Sequence, residues 1–245
     1  RNHLITEKRI HQGVVFWQRN KDILQFMKHQ FNVPSKIIIG ILGIETTYGQ
    51  QQGKYKVLDS LATLSFHYPA RTKFFRAQLA DFIVYCLKNH IKANSVLGSY
   101  AGAIGQAQFM PTSIKLYAVH AKKKGYLDLS HNEGDVIASI SNFLAKHGWH
   151  KDQPIIIRAR YATHASVKKI YKQHHKRCLS LSAWKKIGIT PAVKVTAKAS
   201  RSYPLVARLV TMKLKHGYEY WLAFHNFNVI KSYNDSDNYA LAVDT

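Results

Sequence analysis

The sequence predicts a mainly α protein, an α+β chain whose strands are gathered into one small module ahead of the C-terminus. Three observations point there. Apolar residues recur at three-to-four spacing through most of the first 147 residues. From Ile155 that period gives way to short runs rich in β-branched residues, Ile155–Tyr161, Ala192–Ala197 and Pro204–Lys213. The charge changes at the same place. The chain holds 36 Lys+Arg against 13 Asp+Glu, and residues 151–220 alone hold sixteen of the cations with only Asp152 and Glu219 as acids. A length of 245 residues suffices for one large domain, or for a core with a smaller insertion. The expected division is 1–152 for a helical part and core, 153–220 for the β module and 221–245 for a return to the core.

Residues 1–30 read as helical, with Ile10, Val14 and Trp17 and then Ile23, Leu24 and Met27 on the apolar side. The next helix spans Pro34 to Gly49, with Ser35 expected as its cap and Gly49 as its stop. A Gln- and Gly-bearing loop follows at 50–57. Asp59–Phe66 resumes as helix until Tyr68-Pro69. Arg71–Lys88 is a long amphipathic helix using Phe74, Phe75, Leu79, Phe82 and Ile83. Another helix is expected from Asp135 to His147, ended by Gly148. Tyr218–Phe227 is strongly aromatic, and a last helix should begin near Asp235.

Glu45 stands out on the second helix. Ile38, Leu42 and Glu45 share one face, and Ile37, Ile41, Ile44 and Tyr48 fill the adjoining one. A carboxylate thus ends an apolar stripe. Desolvation there would raise its pKa, as a general acid requires. An ordinary helix-end glutamate faces water instead, since carboxylates are rarely buried unpaired. Gly40 and Gly43 weigh against that by suggesting an element packed too close for larger side chains. The residues alone leave both readings of Glu45 open.

The stretch Gly98–Ser113 has three glycines, two glutamines and Ser99 in sixteen residues. Such a composition suits a binding loop, because glycine admits close backbone approach while Gln and Ser offer neutral hydrogen bonds to hydroxyls and amides. An ordinary turn leading into a helix is the competing reading. Residues 120–131 have the outline of an EF-hand loop, with His120 at position 1, Gly125 at 6 and Asp128 at 9. Positions 3 and 5 are Lys122 and Lys124, where carboxylates are needed. Two ammonium groups cannot bind a cation, so no metal is expected there.

The longest uninterrupted apolar run, Ile37–Ile44, is far short of the ~20 residues a membrane span requires. The chain begins at Arg1 and not at Met, so a trimmed or mature form is expected. Cys86, within the apolar run Phe82–Leu87, reads as a buried thiol, and with Cys178 it makes no disulfide framework. A formal charge of +23 would attract nucleic acid, anionic membrane or anionic wall polymer alike. No nucleic-acid-binding motif accompanies it, and no nucleic-acid partner is expected.

Taken together, five stretches resemble the lytic murein transglycosylase B family of bacterial cell-wall enzymes. They are Gly43-Ile-Glu-Thr-Thr-Tyr-Gly49, Leu58–Pro69, Gly98–Pro111, His147-Gly-Trp149, and Glu219–Phe227 leading to Tyr233-Asn234. They run in family order from about residue 34 to the C-terminus. Residues 1–30 and the middle of the β module match loosely.

The resemblance implies a lysozyme-like α core, an additional helical part and a small inserted β domain. It places the family's single catalytic glutamate on Glu45. Ser99 and Gln108 match groove residues that hold sugars and N-acetyl groups. Arg71 matches a groove arginine suited to a lactyl or peptide carboxylate. Tyr233, Asn234 and Tyr239 match a C-terminal cluster that closes over the glutamate. Phe74 stands where a groove tyrosine is common, and Ala70 where a first arginine is common, which bears on substrate preference and not on the chemistry. The expected setting is the periplasm or envelope of a Gram-negative bacterium, with a lipid anchor to the outer membrane in a full-length form. No cofactor is implied and a monomer is expected. The partners would be peptidoglycan strands, and anionic envelope polymers through residues 151–220.

Ordinary glycosidases use two carboxylates, ~5–5.5 Å apart for retention or ~6.5–9.5 Å for inversion. Asp59, Asp235 and Asp237 are the candidates for a partner to Glu45, and none has a comparably apolar setting. The family works with one glutamate, which implies an acid-then-base role for Glu45 and a 1,6-anhydromuramic product. A non-catalytic murein-binding protein and a hydrolytic, lysozyme-type muramidase are the alternatives.

Overall fold

Helix α3 (Ser35–Thr46) is buried on nearly every side, with Ile37, Ile38, Ile39, Ile41, Leu42 and Gly43 all out of solvent. A helix that is apolar all round must be wrapped by others. In the computed structural model, which describes residues 5–122, 125–195, 203–214 and 216–244, α1 (Glu7–Arg19), α2 (Lys21–Phe31) and a later helix, Glu133–Lys146, do the wrapping. The chain divides into two compact units, residues up to 146 and residues from 147 onward. Both belong to a mainly α protein with one small sheet, as expected from the sequence.

In the first unit a two-residue strand β1 (Tyr55–Lys56) leads into α4 (Val57–His67), and a 3-10 turn, Pro69–Arg71, leads into α5 (Thr72–Lys88). Strand β2 (Leu97–Gly98) pairs antiparallel with β1, Tyr55 opposite Gly98. The short α6 (Pro111–Tyr117) begins on a proline, whose missing N–H costs nothing at a first turn. The long helix α7 (Glu133–Lys146) closes the unit.

Several expectations change here. In α1 the predicted apolar stripe faces outward: Ile10 is 56% exposed, Val14 49% and Trp17 41%. The buried side is Gly13 and Phe16, because α1 packs through a small residue. The helix breaks at Asn20, which is buried and donates its side-chain amide to Phe16 O and Glu133. Ser35 does not cap α3. It is the first helical residue and donates to Leu24 O at 3.4 Å, while Pro34 holds the cap position. The helix also stops at Thr46 and not at Gly49, with Thr47 in the left-handed region at φ 50°. On α5, Phe75 and Phe82 are buried as expected, whereas Phe74 and Ile83 are exposed. Cys86 is a buried free thiol, pushed by burial up to about 11, and Cys178 is free and exposed.

The second unit holds a five-stranded antiparallel sheet in the order β4-β6-β7-β3-β5. Its strands are β3 (Ile156–Arg160), β4 (Cys178–Ser180), β5 (Thr190–Pro191), β6 (Val206–Lys213) and β7 (Tyr218–Ala223). The hairpin β6–β7 sets Leu209 opposite Leu222. Alternate residues Ala207 and Leu209 of β6, with Tyr220 and Leu222 of β7, join Trp184 and Val167 in the core. Trp184 is fully buried and donates its indole N–H to Ala207 O at 2.8 Å.

Trp184 and Val167 come from two helices, α8 (His164–His174) and α9 (Leu181–Lys186), where only strands and turns were expected. Val167 is the sole fully buried residue of α8, with Ile170 and Tyr171 packed against the same core at helical spacing. The start of α8 was signalled by the capping box of Thr163 and Ser166. The run 192–197 is not strand over its described part, 192–195, and residues 196–197 lie outside the described residues. Thr190 and Pro191 pair with Arg160 and Ala159, and Ala192 N donates to Arg158 O at 2.8 Å just past the strand. The division expected at 220/221 falls inside β7. Helices α10 (His225–Lys231) and α11 (Asp237–Asp244) complete the unit. Among the described residues no helix is long and apolar enough to cross a membrane.

Candidate active site

Glu45 is half-buried in the last turn of α3, followed at once by Thr46 and by two successive left-handed residues, Thr47 at φ 50° and Tyr48 at φ 58°. Non-glycine residues hold that conformation only where their surroundings impose it. Thr46 supplies part of the constraint. It is buried, donates its hydroxyl to Gln106 O at 2.9 Å and accepts from Gly49 N at 3.0 Å. Gln51 N also donates to Thr46 O. The turn after Glu45 is thereby fastened to the glycine-rich loop 98–110.

That loop is a folded structure with its own ladder. Ile104 bridges both Gly98 and Phe109, and Ser99 N donates to Ala103 O. At Gly102 a side chain would run into Leu61 of α4, so the absence of one lets the loop lie against that helix. Ser99 Oγ accepts from Ala101 N at 3.3 Å and Ala103 N at 3.0 Å, which leaves its own proton to donate. Gln108 is half-buried at φ 49° and donates its amide nitrogen to Gln52 O and Gly105 O. Its carbonyl oxygen is left as the acceptor for a ligand N–H. Ser99 and Gln108 therefore present a donor and an acceptor on the loop to which the Glu45 turn is fastened, a pairing suited to an acetamido group.

The two glutamines differ in role. Gln106 is buried, donates to Ser130 O and packs against Gly49, so it builds the loop and does not face a ligand. Thr46 and Gln106 were both visible in the sequence, but nothing there set structural apart from ligand-facing polar groups. Arg71 and Phe74 lie together at the start of α5. The Arg71 guanidinium stacks over the Phe74 ring at 4.2 Å and lies 5.5 Å from Phe75. Phe74 thus holds a cation where a tyrosine would add a hydroxyl.

Tyr233, Asn234 and Tyr239 belong to the second unit. There the rings of Tyr233 and Tyr239 stack with centroids 6.5 Å apart, Tyr239 is buried and Asn234 is exposed. The two aspartates nearest them are bound to Lys231, Asp235 at 3.1 Å and Asp237 at 2.8 Å. Burial opposes the Lys231 charge, yet the two carboxylates outweigh it and raise its pKa. Asp59 is exposed in the first turn of α4, where an acid suits the helix dipole. Two of the motif stretches also meet in this unit, where His225 Nε2 lies 2.8 Å from Gly148 O; beside them buried Asn226 accepts from His150 N at 2.9 Å and donates to His150 O and Gln153 O.

The EF-hand-like loop is tied by side chains. Buried Asp135 accepts from Ala121 N at 2.9 Å and Asp128 N at 3.3 Å and faces His120 at 3.6 Å. Asp128 in turn accepts from Ser130 N and His131 N. Lys122 is exposed and Lys124 lies outside the described residues. Among the described residues no group of three or more His, Cys, Asp or Glu is placed to hold a metal ion.

A helical unit with a glutamate ending its central helix, fastened to a loop of sugar-facing type, defines the class: the chain belongs to the transglycosylase SLT domain family, which it matches over residues 1–245. It is 35% identical over 243 residues to the membrane-bound lytic murein transglycosylase B of Escherichia coli K12, covering 99% of this chain and 64% of that protein. The chain thus spans somewhat less than two thirds of that relative. The lytic transglycosylase Slt35 of E. coli superposes with a TM-score of 0.87 at 34% identity, over 98% of this chain and 73% of its own, in complexes with bulgecin A and with calcium. SltB3 of Pseudomonas aeruginosa, in complex with NAG-NAM-pentapeptide, superposes with a TM-score of 0.87 at 30% identity, over 98% of this chain and 63% of its own. The lysozyme-like fold is shared with them.

Slt35 has been crystallised with calcium; in this protein Asp135 accepts from two backbone N–H groups of the EF-hand-like loop. In thermal unfolding, calcium and a chelator should leave the midpoint of this protein unchanged. Asp135→Ala, which strips two backbone N–H groups of their acceptor, should lower stability by about 1–3 kcal/mol. A midpoint that rises with calcium would contradict this.

Proposed function

We propose that this protein is a peptidoglycan lytic transglycosylase, cutting the β-1,4 bond between N-acetylmuramic acid and N-acetylglucosamine with Glu45 as both acid and base. The observation that carries the reading is the place of Glu45. The family's acidic motif falls at the half-buried end of α3, one residue before Thr46 is tied to the loop bearing Ser99 and Gln108.

Glu45, protonated, donates its proton to the glycosidic oxygen. The bond from that oxygen to C1 of the muramic acid breaks, and the electron pair leaves with the N-acetylglucosamine O4. The muramic N-acetyl group, or neighbouring dipoles, steadies the positive charge left at C1. The muramic C6 hydroxyl then bonds to C1 and gives its proton to the Glu45 carboxylate, closing the 1,6-anhydro ring and restoring the acid. Closure within one sugar gains from proximity. Ser99 and Gln108 orient the acetamido groups. Arg71, steadied by Phe74, takes a lactyl or peptide carboxylate. Tyr233, Asn234 and Tyr239 close over the reacting sugar, an assignment that comes from the motif match. The relatives' names favour a Gram-negative envelope setting, and a lipid-anchored full-length form belongs to this proposal.

Glu45→Gln should cut release of soluble muropeptides from sacculi by about a thousandfold or more, since one group serves both proton transfers. Its circular dichroism and unfolding midpoint should match the wild type. Retained turnover in that variant would overturn the assignment.

The basic residues of 151–220 are proposed to hold the enzyme to anionic envelope polymer. Binding of Glu45→Gln to sacculi should then weaken steeply between low and physiological salt, as exposed charges are screened over about 8–10 Å. Salt-insensitive binding would contradict it.

A further inference from the structure

Helix α1 carries none of the motif stretches, yet it reaches three of the five residues that follow Glu45. Arg9 donates to Thr47 Oγ1 at 3.3 Å. Gln12 donates its side-chain amide to Gln50 Oε1 at 3.1 Å. Phe16 stacks on Tyr48 with ring centroids 5.5 Å apart. Tyr48 also folds back across its own helix, so that a side chain on Gly43 would meet its hydroxyl at 2.7 Å. A side chain on Gly13 would meet the same hydroxyl from the other side, with the ring's Cζ at 3.1 Å. The Tyr48 ring therefore lies in a slot between two glycines, one on α1 and one on α3. Burial raises the pKa of its hydroxyl, and the nearby Arg9 guanidinium works the other way.

We propose that α1 is a positioning clamp for the catalytic glutamate, acting through Tyr48, with Gly13, Arg9 and Phe16 as positioning residues. Three facts converge. Thr47 and Tyr48 adopt a conformation that needs external support. Thr46 fastens one side of the turn to Gln106, and α1 fastens the other. The carboxylate to be placed stands at the residue just before the clamped stretch. Proton transfer to a bound sugar tolerates little displacement of the acid, so the slot's width sets the rate and not substrate affinity. The α1 end is itself anchored, because Arg19 and Asn20 both bind Glu133 of α7.

The proposal rests on Glu45 being the acid, and the test separates the two. Wild type and Glu45→Gln are assayed first on purified muropeptide chains, which tests that reading alone. Gly13→Ala then places a methyl against the Tyr48 hydroxyl. It should lower kcat by between about tenfold and about a hundredfold, with KM within about twofold and the protein fully folded at the assay temperature. Tyr48→Phe removes the hydroxyl, so Gly13→Ala combined with Tyr48→Phe should recover the kcat of Tyr48→Phe alone. The Glu45 carboxyl resonance in a 13C-labelled sample should move in Gly13→Ala and return in the double variant, a readout independent of turnover. Unchanged kcat and unchanged resonance in Gly13→Ala, or a loss that falls on KM, would overturn the clamp. So would a kcat that the double variant fails to restore.

Discussion

The abrupt stop of helix α3 one residue past Glu45 is the constraint on which the candidate site in the first unit depends. Helix α3 is too apolar to end in solvent by itself. It ends because Leu42 O accepts from Tyr48 N, with Thr47 and Tyr48 forced left-handed. Loop 98–110 grips the turn through Thr46, and α1 grips it through Tyr48 and Thr47. The same loop carries Ser99 and Gln108, so the contact at the helix end ties the Glu45 turn to the loop that bears them. Site and fold share their hydrogen bonds.

How much of this could be read beforehand depends on whether a residue's role was local. Helices α3, α4, α5 and α7 have strong periodicity and were legible to within a few residues. Ser35 and Gly49 show the limit. Each is a good boundary residue, but the true boundaries are set by the buried packing of α3 and by the grip on Thr46. The outward stripe of α1 misled for a related reason: the helix packs through Gly13, and a glycine carries no hydropathy signal. Helix α8 was missed because its short period, Val167, Ile170 and Tyr171, lies between runs rich in β-branched residues. Glu45, Ser99, Gln108 and Arg71 were singled out by motif, and the structure sets Glu45 in the turn that is tied to the loop of Ser99 and Gln108. Which of two neighbouring glutamines builds the loop was not legible, since that turns on one backbone contact between Thr46 and Gln106.

The closing of a loop by side chains is a second theme. The loop at 120–131 keeps the glycine and the outline of a cation site, while lysines stand where carboxylates are needed. Asp135 gathers the backbone N–H groups of Ala121 and Asp128 instead. A buried carboxylate that accepts from two backbone N–H groups fixes the loop against α7. In the second unit the acids are likewise engaged, with Glu219 on Arg158 and both Asp235 and Asp237 on Lys231.

Mass spectrometry of the sugar ends released from purified peptidoglycan is the most direct measurement. One glutamate acting as acid and then base yields muropeptides ending in 1,6-anhydromuramic acid, each lighter by one water than its hydrolysed counterpart. Reducing N-acetylmuramic ends in their place would mean that water reaches C1, and would contradict the single-glutamate mechanism.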